Sequence, residues 1–345
     1  MQEIRLGTVG SGSIVHHILD AVSIVDGIRC EAVYSRSAEK ASALAAEYNV
    51  PRTYTDYDAL LADPAVNCIY IASPNSLHFP QMMQALYHRK HVICEKPLCP
   101  TADEGREAAA LAESKHLLLA EAVPTMHLDN FRFLRESLAK IGPVRTISCR
   151  YGKYSSRYDE LLAGKTPNVF SLQYAGGCLA DINYYNLYLC ASLFGMPSHV
   201  DYAAKIYPGA ADTSGQALLQ YPSMTAYCYG AKDKDVSSYV RIEGEQGRIF
   251  IPGGANGIRE VRLYAENGLT IANPDQDTMP AGTRRYLEER AGKEANPYRW
   301  YLEIHSLTKL FLAEDHEALR QLLTVTENTA AMTEAARRSA GICFS

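Results

Sequence analysis

The stretch Leu6-Gly7-Thr8-Val9-Gly10-Ser11-Gly12-Ser13-Ile14-Val15 decides how the first third of the chain is read. An apolar run over residues 4–9 has the length and composition of a buried strand. Two glycines follow at once, and helical spacing begins at Ser13. Strand, glycine turn and helix within so short a span open a βαβ unit. Gly10 permits the tight turn. Gly12 leaves the loop bare, so that backbone N–H groups at the helix start can approach an anion. The place where such loops carry a third glycine is Val15, which keeps helix and strand further apart.

Outward from this loop, short apolar runs recur over 30–34, 68–72, 91–94 and 117–120, with 3.6-residue periodicity between them over 38–48, 80–88 and 103–114. That alternation predicts a parallel sheet covered on both faces, a doubly wound α/β domain over residues 1–123. After Pro124 the pattern changes. A helix over 129–140 leads into a strand over 144–153, and longer alternating strands follow over 200–207, 216–221, 225–229 and 239–243. The turn Glu243-Gly244-Glu245-Gln246-Gly247, with a strand over 248–251, reads as a hairpin. Most of the 23 tyrosines fall in this half, and tyrosine strands of period two suit a large one-sided sheet. Two late helices are expected over 297–312, with Asn296 as N-cap and Pro297 in the first turn, and over 317–340. Residues 124–345 therefore read as an α+β domain with a large, mostly antiparallel open sheet. Its bare face needs a cover, which predicts a homodimer or homotetramer.

The totals narrow the partners. At 345 residues, 47% hydrophobic and 21% charged, the composition is that of a globular protein of two domains. A net charge of −5 with no basic stripe argues against nucleic acid. No apolar run approaches the ~20 residues of a membrane helix, and the first residues enter a strand at once, so neither membrane nor leader is expected. The nine cysteines are odd in number and scattered, with no CxxC pair and no zinc spacing. They predict reduced thiols, a cytoplasmic location and no metal.

Three further loops should lie beside the glycine loop, because ligands in such sheets sit outside the carboxyl ends of the strands. The second strand ends in Val33-Tyr34-Ser35-Arg36-Ser37, with no carboxylate to accept from a ribose 2′-hydroxyl. Ser35 and Arg36 suit a 2′-phosphate, which favours NADP over NAD. The third ends in Ala72-Ser73-Pro74-Asn75-Ser76-Leu77-His78, where Ser73, Pro74, Asn75 and His78 are placed along the cofactor. The next ends in Glu95-Lys96-Pro97, which sets two charges at the strand terminus. Lys96 is positioned to donate to a substrate oxygen or a ribose hydroxyl and to lower the pKa of a neighbouring acid, with Glu95 orienting it.

With these motifs the chain resembles the Gfo/Idh/MocA family of NAD(P)-dependent oxidoreductases. The resemblance rests on Gly10-Ser11-Gly12-Ser13-Ile14, Ser73-Pro74-Asn75 with His78, and Glu95-Lys96-Pro97, and it extends over nearly the whole length to the closing Ala336-Arg337-Arg338-Ser339-Ala340-Gly341. It implies a Rossmann domain, a dinucleotide held by Gly10, Gly12, Ser13 and Ile14, and a lysine at Lys96 serving catalysis and cofactor placement. The second half carries Gly176-Gly177-Cys178-Leu179-Ala180-Asp181-Ile182-Asn183-Tyr184-Tyr185, opening an apolar helix. Asp181 and Tyr185 are four apart, hence on one helical face. Tyr185 stands where the family usually has histidine, and Asn183 where it usually has glycine. That is similar to the dihydrodiol dehydrogenase and glucose–fructose oxidoreductase branches and departs from the inositol dehydrogenase pattern. A phenol near a lysine ammonium becomes a usable proton donor or acceptor. The resemblance thus implies Tyr185 as the acid–base group, Lys96 as its activator and Asp181 as an anchor for substrate or lysine, with Asn168 and Tyr184 as weaker substrate contacts. The expected reaction is hydride transfer to or from a carbonyl or secondary alcohol of a sugar, polyol or cyclic diol. The alternative is a dinucleotide-binding regulator that has lost the chemistry.

Overall fold

The computed structural model describes residues 1–290 and 296–344. The chain opens with β1 (Ile4–Val9), α1 (Ser13–Val22), β2 (Ile28–Tyr34), α2 (Ala38–Tyr48), β3 (Arg52–Tyr54), α3 (Tyr57–Ala62), β4 (Cys68–Ile71), α4 (His78–Tyr87), β5 (His91–Glu95), α5 (Ala102–Ser114) and β6 (Leu119–Ala122). The six strands form one parallel sheet in the order β3-β2-β1-β4-β5-β6. Central strands are buried on both faces: every residue of β4 and of β6 is enclosed. Local signals set the helix ends. Ser37 accepts from the Lys40 N–H at the start of α2, and Asn49 closes it in the left-handed region at φ 54°. A reciprocal Thr101/Glu104 capping box opens α5.

The strand expected over 117–120 lies two residues later. The sequence breaks the apolar run at Glu121, but that carboxylate is buried and hydrogen-bonded inside β6, so pairing continues past it. The three-residue edge strand β3 and the six-residue α3 are too short to show a period, and the sequence reading passed over both.

The second unit begins at Pro124. It contains α6 (Asp129–Ser137), β7 (Val144–Gly152), α7 (Ser156–Leu162), α8 (Tyr184–Phe194), β8 (His199–Ile206), β9 (Asp212–Gln220), β10 (Thr225–Ala231), β11 (Tyr239–Gly244), β12 (Arg248–Pro252), β13 (Val261–Ala265), β14 (Gly268–Ala272), α9 (Pro274–Asp277) and α10 (Ala281–Arg290). Eight strands pair in the order β14-β13-β12-β11-β7-β10-β9-β8, antiparallel except where β7 meets β10. One face of the central strands is core: Ile147 and Cys149, Ala226 and Cys228, Val240 and Ile242, Ile249 and Ile251. The intervening residues on the opposite face are more open, with Tyr227 42% exposed and Tyr239 stacked on Phe250. The hairpin of β13 and β14 was missed, because its outer strand is exposed and carries no buried alternation.

Helices α11 (Arg299–Ala313) and α12 (His316–Ser339) end the chain. Asn296 accepts from the Tyr298 N–H (3.0 Å), so the expected cap is used, but the helix proper starts two residues after Pro297. The sequence reading assigned everything after 123 to the second domain. The structure divides the chain differently, returning residues Trp300–Glu327 to the first unit. The physical reason is a shared core: Trp300, Ile304, Leu307, Phe311 and Leu319 pack with Ile4, Leu6, Ile18 and Tyr70, and the His17 ring stacks on Trp300 at 3.9 Å.

Candidate functional site

In the first unit the strand order reverses direction between β1 and β4, and four loops follow the carboxyl ends of adjacent strands there. Gly10 has φ +122°, and a Cβ on it would lie 2.7 Å from the Ala72 carbonyl oxygen, so only glycine fits. Gly12 is the extended N-cap of α1, with no side chain capping the helix and open space where a Cβ would stand. The first amides of α1, Ser13 and Ile14 among them, therefore face open ground, as an anion site requires. Ser11 and Ser35 bring their hydroxyls to 3.3 Å, and Ser35 accepts from the Ser37 N–H. Arg36 is exposed, and its guanidinium has no ion-pair partner among the described residues. These residues fit a dinucleotide carrying a 2′-phosphate: an uncapped helix start for the pyrophosphate, and hydroxyls with a spare guanidinium instead of a carboxylate at the end of β2.

After β4 the Ser73 hydroxyl donates to Gln81 Oε1 (2.6 Å), and Pro74 leads into a single 3-10 turn from Asn75. His78 is buried, with Nε2 against the Ser73 carbonyl and Nδ1 against the Pro97 carbonyl, 2.8 Å each. Burial pushes this imidazole below its ordinary pKa, and a neutral ring donates to only one of the two carbonyls at a time. His78 thus ties the loop after β4 to the loop after β5. At the end of β5 the Lys96–Pro97 peptide is cis. Glu95 accepts from the Tyr70 hydroxyl at Oε1 (2.7 Å) and from the Lys96 backbone N–H at Oε2 (3.2 Å). Burial, and then Glu95, hold the Tyr70 phenol well above its usual range, so it stays a donor. Glu95 and Lys96 are both half-buried.

In the second unit a Cβ on Gly176 would lie 2.7 Å from the Asn168 and Val169 carbonyl oxygens, so the chain passes them only as glycine. A π-helical turn over Leu179–Asn183 then widens the helix entry before α8. Asp181 pairs with Lys232, a lysine at the end of β10 that is itself buried and lies 5.7 Å from the Phe170 ring centroid. The sequence reading gave Asp181 a substrate hydroxyl to bind or Lys96 to hold; the lysine it pairs with within this unit is Lys232. Tyr185 is half-buried with the Tyr151 ring edge-on at 6.2 Å, and Tyr151 accepts from Asn256 (2.8 Å). Asn183 is enclosed, donating to the Cys228 carbonyl (2.8 Å) and accepting from Asn186 (2.8 Å), so it fastens the π turn to β10. Asn168 is exposed at the head of a 3-10 turn. Tyr184, expected as a substrate contact, is 1% exposed beside Tyr188; a side chain so enclosed packs the core.

Three features escaped the sequence reading. Lys232 carried no local signal. Glu121 was visible only as a carboxylate interrupting an apolar run. Cys149, Cys190 and Cys228, far apart in the chain, converge so that their sulfurs lie within 4.8 Å of one another in the core. Strand register sets Cys149 opposite Cys228, and α8 brings Cys190 to 3.7 Å from Cys228. The spacing rule for metal sites could not see a cluster assembled from two strands and a helix.

Comparison with known proteins agrees with this layout. Residues 4–122 match an oxidoreductase family, NAD-binding Rossmann fold, and residues 131–250 match the GFO/IDH/MocA C-terminal domain. Scyllo-inositol 2-dehydrogenase (NADP(+)) IolU of Bacillus subtilis (strain 168) is 31% identical over 341 residues, covering 99% of this chain and 98% of that protein. Trans-1,2-dihydrobenzene-1,2-diol dehydrogenase of Mus musculus is 30% identical over 225 residues, 64% of this chain and 65% of that one. Among solved structures, the 3-ketoreductase KijD10 of Actinomadura kijaniata, in complex with NADP and TDP-benzene, superposes with a TM-score of 0.80 at 20% identity over 98% of each chain. At that identity the likeness speaks for the fold.

Proposed function

Because the chain belongs to the GFO/IDH/MocA family of oxidoreductases, we propose that it is an NADP-dependent dehydrogenase or reductase acting on CH–OH groups of a sugar, polyol or cyclic diol. The full-length relative named for scyllo-inositol makes a cyclic polyol the first substrate to try, although Tyr185 and Asn183 depart from the inositol dehydrogenase pattern. The observation that carries the reading is the carboxyl edge of the parallel sheet, where Gly10–Gly12, Ser35 with Arg36, Ser73–Asn75 and Glu95–Lys96 follow neighbouring strands.

When bound, the nicotinamide supplies or takes up the hydride. The amides at the start of α1 hold the pyrophosphate. Ser35 and Arg36 bind the 2′-phosphate, with NAD as the weaker ligand. Lys96 donates to the substrate oxygen and favours the ionised form of the acid–base group. Tyr185 gives or takes the oxygen-bound proton through its phenol. Asp181, held by Lys232, binds a substrate hydroxyl, and Asn168 offers a further polar contact. No helix among the described residues is long and apolar enough to cross a membrane. We assign the protein to the cytoplasm, a reading supported by nine cysteines free of disulfides. Its oligomer, a homodimer or homotetramer, forms through the open face of the second sheet. Tyr227, Tyr239, Phe250, Arg241 and Arg248 give that face the aromatic and arginine content of a protein interface.

The test is fluorescence titration with NADPH and NADH on wild type and Arg36→Ala, followed by turnover of scyllo-inositol with NADP+. NADPH affinity should drop ~10- to 100-fold in Arg36→Ala with NADH barely changed, as expected for a lost charge-assisted contact. Lys96→Met and Tyr185→Phe should each lower kcat by two orders of magnitude or so, the usual scale of acid–base assistance. If neither nucleotide binds, the glycine loop does not hold a dinucleotide and the proposal fails.

A further inference from the structure

Past the end of β5, the segment that begins at Lys96 is held largely by side chains. Between β5 and α5 the chain runs from Lys96 to Thr101, and Pro97 and Pro100 have no N–H to give. Parallel pairing of β5 with β6 ends at Glu95 opposite Ala122. Lys96 N–H also reaches Glu95 Oε2, His78 reaches the Pro97 carbonyl, and Leu98 N–H donates to Glu121 Oε1 at 2.7 Å. Glu121 is 4% exposed in the middle of β6, and its other oxygen accepts from the Thr326 hydroxyl in α12 at 2.8 Å. A carboxylate in an all-buried strand costs desolvation that an alanine would not, and here both of its oxygens are used to pin other segments. One of those segments begins two residues before Leu98, at the lysine.

We propose that Glu121 is a positioning residue for Lys96. It fixes the backbone just past the lysine by a short charge-assisted hydrogen bond and is itself aligned by Thr326, which sets where the ammonium stands at the sheet edge. The inference rests on the reading of Lys96 given above and deepens it. Neither Glu95 nor His78 replaces this contact, because they hold the segment at Lys96 and Pro97, upstream of Leu98. Release of the Leu98 N–H frees the loop to shift by fractions of an ångström, enough to lower the rate of a positioned donor.

The experiment uses the full chain with its lysines reductively methylated with 13C, the Lys96 signal being identified by its absence in Lys96→Met. In Glu121→Gln the Lys96 resonance should move by more than its line width while the other lysine resonances stay in place. With scyllo-inositol and NADP+ as probes, kcat should fall about tenfold, with NADPH affinity within twofold of wild type. The double variant Glu121→Gln/Lys96→Met should be no slower than Lys96→Met alone, since the effect passes through the lysine. Thr326→Val, which keeps Glu121 and its volume, should shift the same resonance in the same direction by less, and it serves if Glu121→Gln folds poorly. An unmoved Lys96 resonance in both variants overturns the proposal. So does an equal loss of kcat with and without Lys96, which would mark Glu121 as merely structural. If Lys96→Met itself turns over normally, the role of the lysine falls, and that pattern is distinct from the first two.

Discussion

Replacing Lys232 by methionine tests the Asp181 cluster of the second unit most directly. The lysine side chain is 6% exposed and the Asp181 side chain 31%. For unit charges ~4 Å apart at an effective dielectric of 20, the attraction is ~4 kcal/mol before desolvation. Methionine removes the desolvation cost of the ammonium but takes the lysine charge away from a carboxylate that is two-thirds enclosed. Losing one partner of a fully buried pair costs 3–5 kcal/mol, and partial exposure of Asp181 brings the expected loss to about 2 kcal/mol. Differential scanning calorimetry should show a melting temperature lower by ~4–8 °C. Lys232→Arg, which keeps the charge near Asp181, should lose less than half of that. In turnover, kcat with scyllo-inositol and NADP+ should drop about tenfold as Asp181 loses its fixed position, whereas NADPH affinity, set by loops of the other unit, should hold. A Lys232→Met protein that melts with wild type and keeps its kcat would show that the pair neither stabilises the unit nor orients Asp181.

Other outcomes follow from single residues. Gly10→Ala forces a Cβ to 2.7 Å from the Ala72 oxygen at φ +122°, and should weaken NADPH binding at least tenfold in a fluorescence titration while lowering the melting temperature. Trp300→Ala removes the ring stacked on His17 and should cost about 3–4 kcal/mol in urea unfolding, read from the midpoint at constant slope. Burial pushes the Asp212 carboxyl up to about 6 despite its hydrogen bonds from Tyr202 and the Leu179 N–H. A carboxyl whose folded pKa is raised contributes stability that is complete below its ordinary value and is lost as pH climbs through about 6. Unfolding free energy should therefore fall by up to ~3 kcal/mol between pH 4 and 6 on this account. Asp212→Asn should flatten that slope, leaving the part due to Asp275, which burial also raises to about 6.

What the sequence made legible were features written locally. The glycine loop, the helical periods of α2, α4 and α5 and the alternating strands β7 to β12 all depend on neighbours within a few residues, and the first unit's parallel sheet followed from the first two of these. The loops at the carboxyl edge were legible for the same reason, since strand ends fix where loops emerge. Partners brought by tertiary packing were not. Nothing near Asp181 in the chain points to Lys232, and no periodicity tells that Glu121 belongs inside a strand. The convergence of Cys149, Cys190 and Cys228 depends on a parallel register between β7 and β10, which no local signal encodes. Tyr184 was misread because an i, i+1 choice between two tyrosines turns on which side of a widened helical turn faces the core.

The return of Trp300–Glu327 to the first unit has a consequence for synthesis. On the ribosome the strands of the parallel sheet emerge first, together with every loop assigned here to the nucleotide, but the apolar face that receives Trp300, Ile304, Leu307, Phe311 and Leu319 stays uncovered. Residues Pro124–Arg299 are then a long insertion, and the second unit is itself completed only by Asn328–Ser345. Even the first residue is fastened late, its terminal ammonium pairing with Glu314 at 2.6 Å. A nascent chain arrested near residue 250 should expose its unfinished first unit to proteases and chaperones. Emergence of Trp300–Glu327 then closes the first unit.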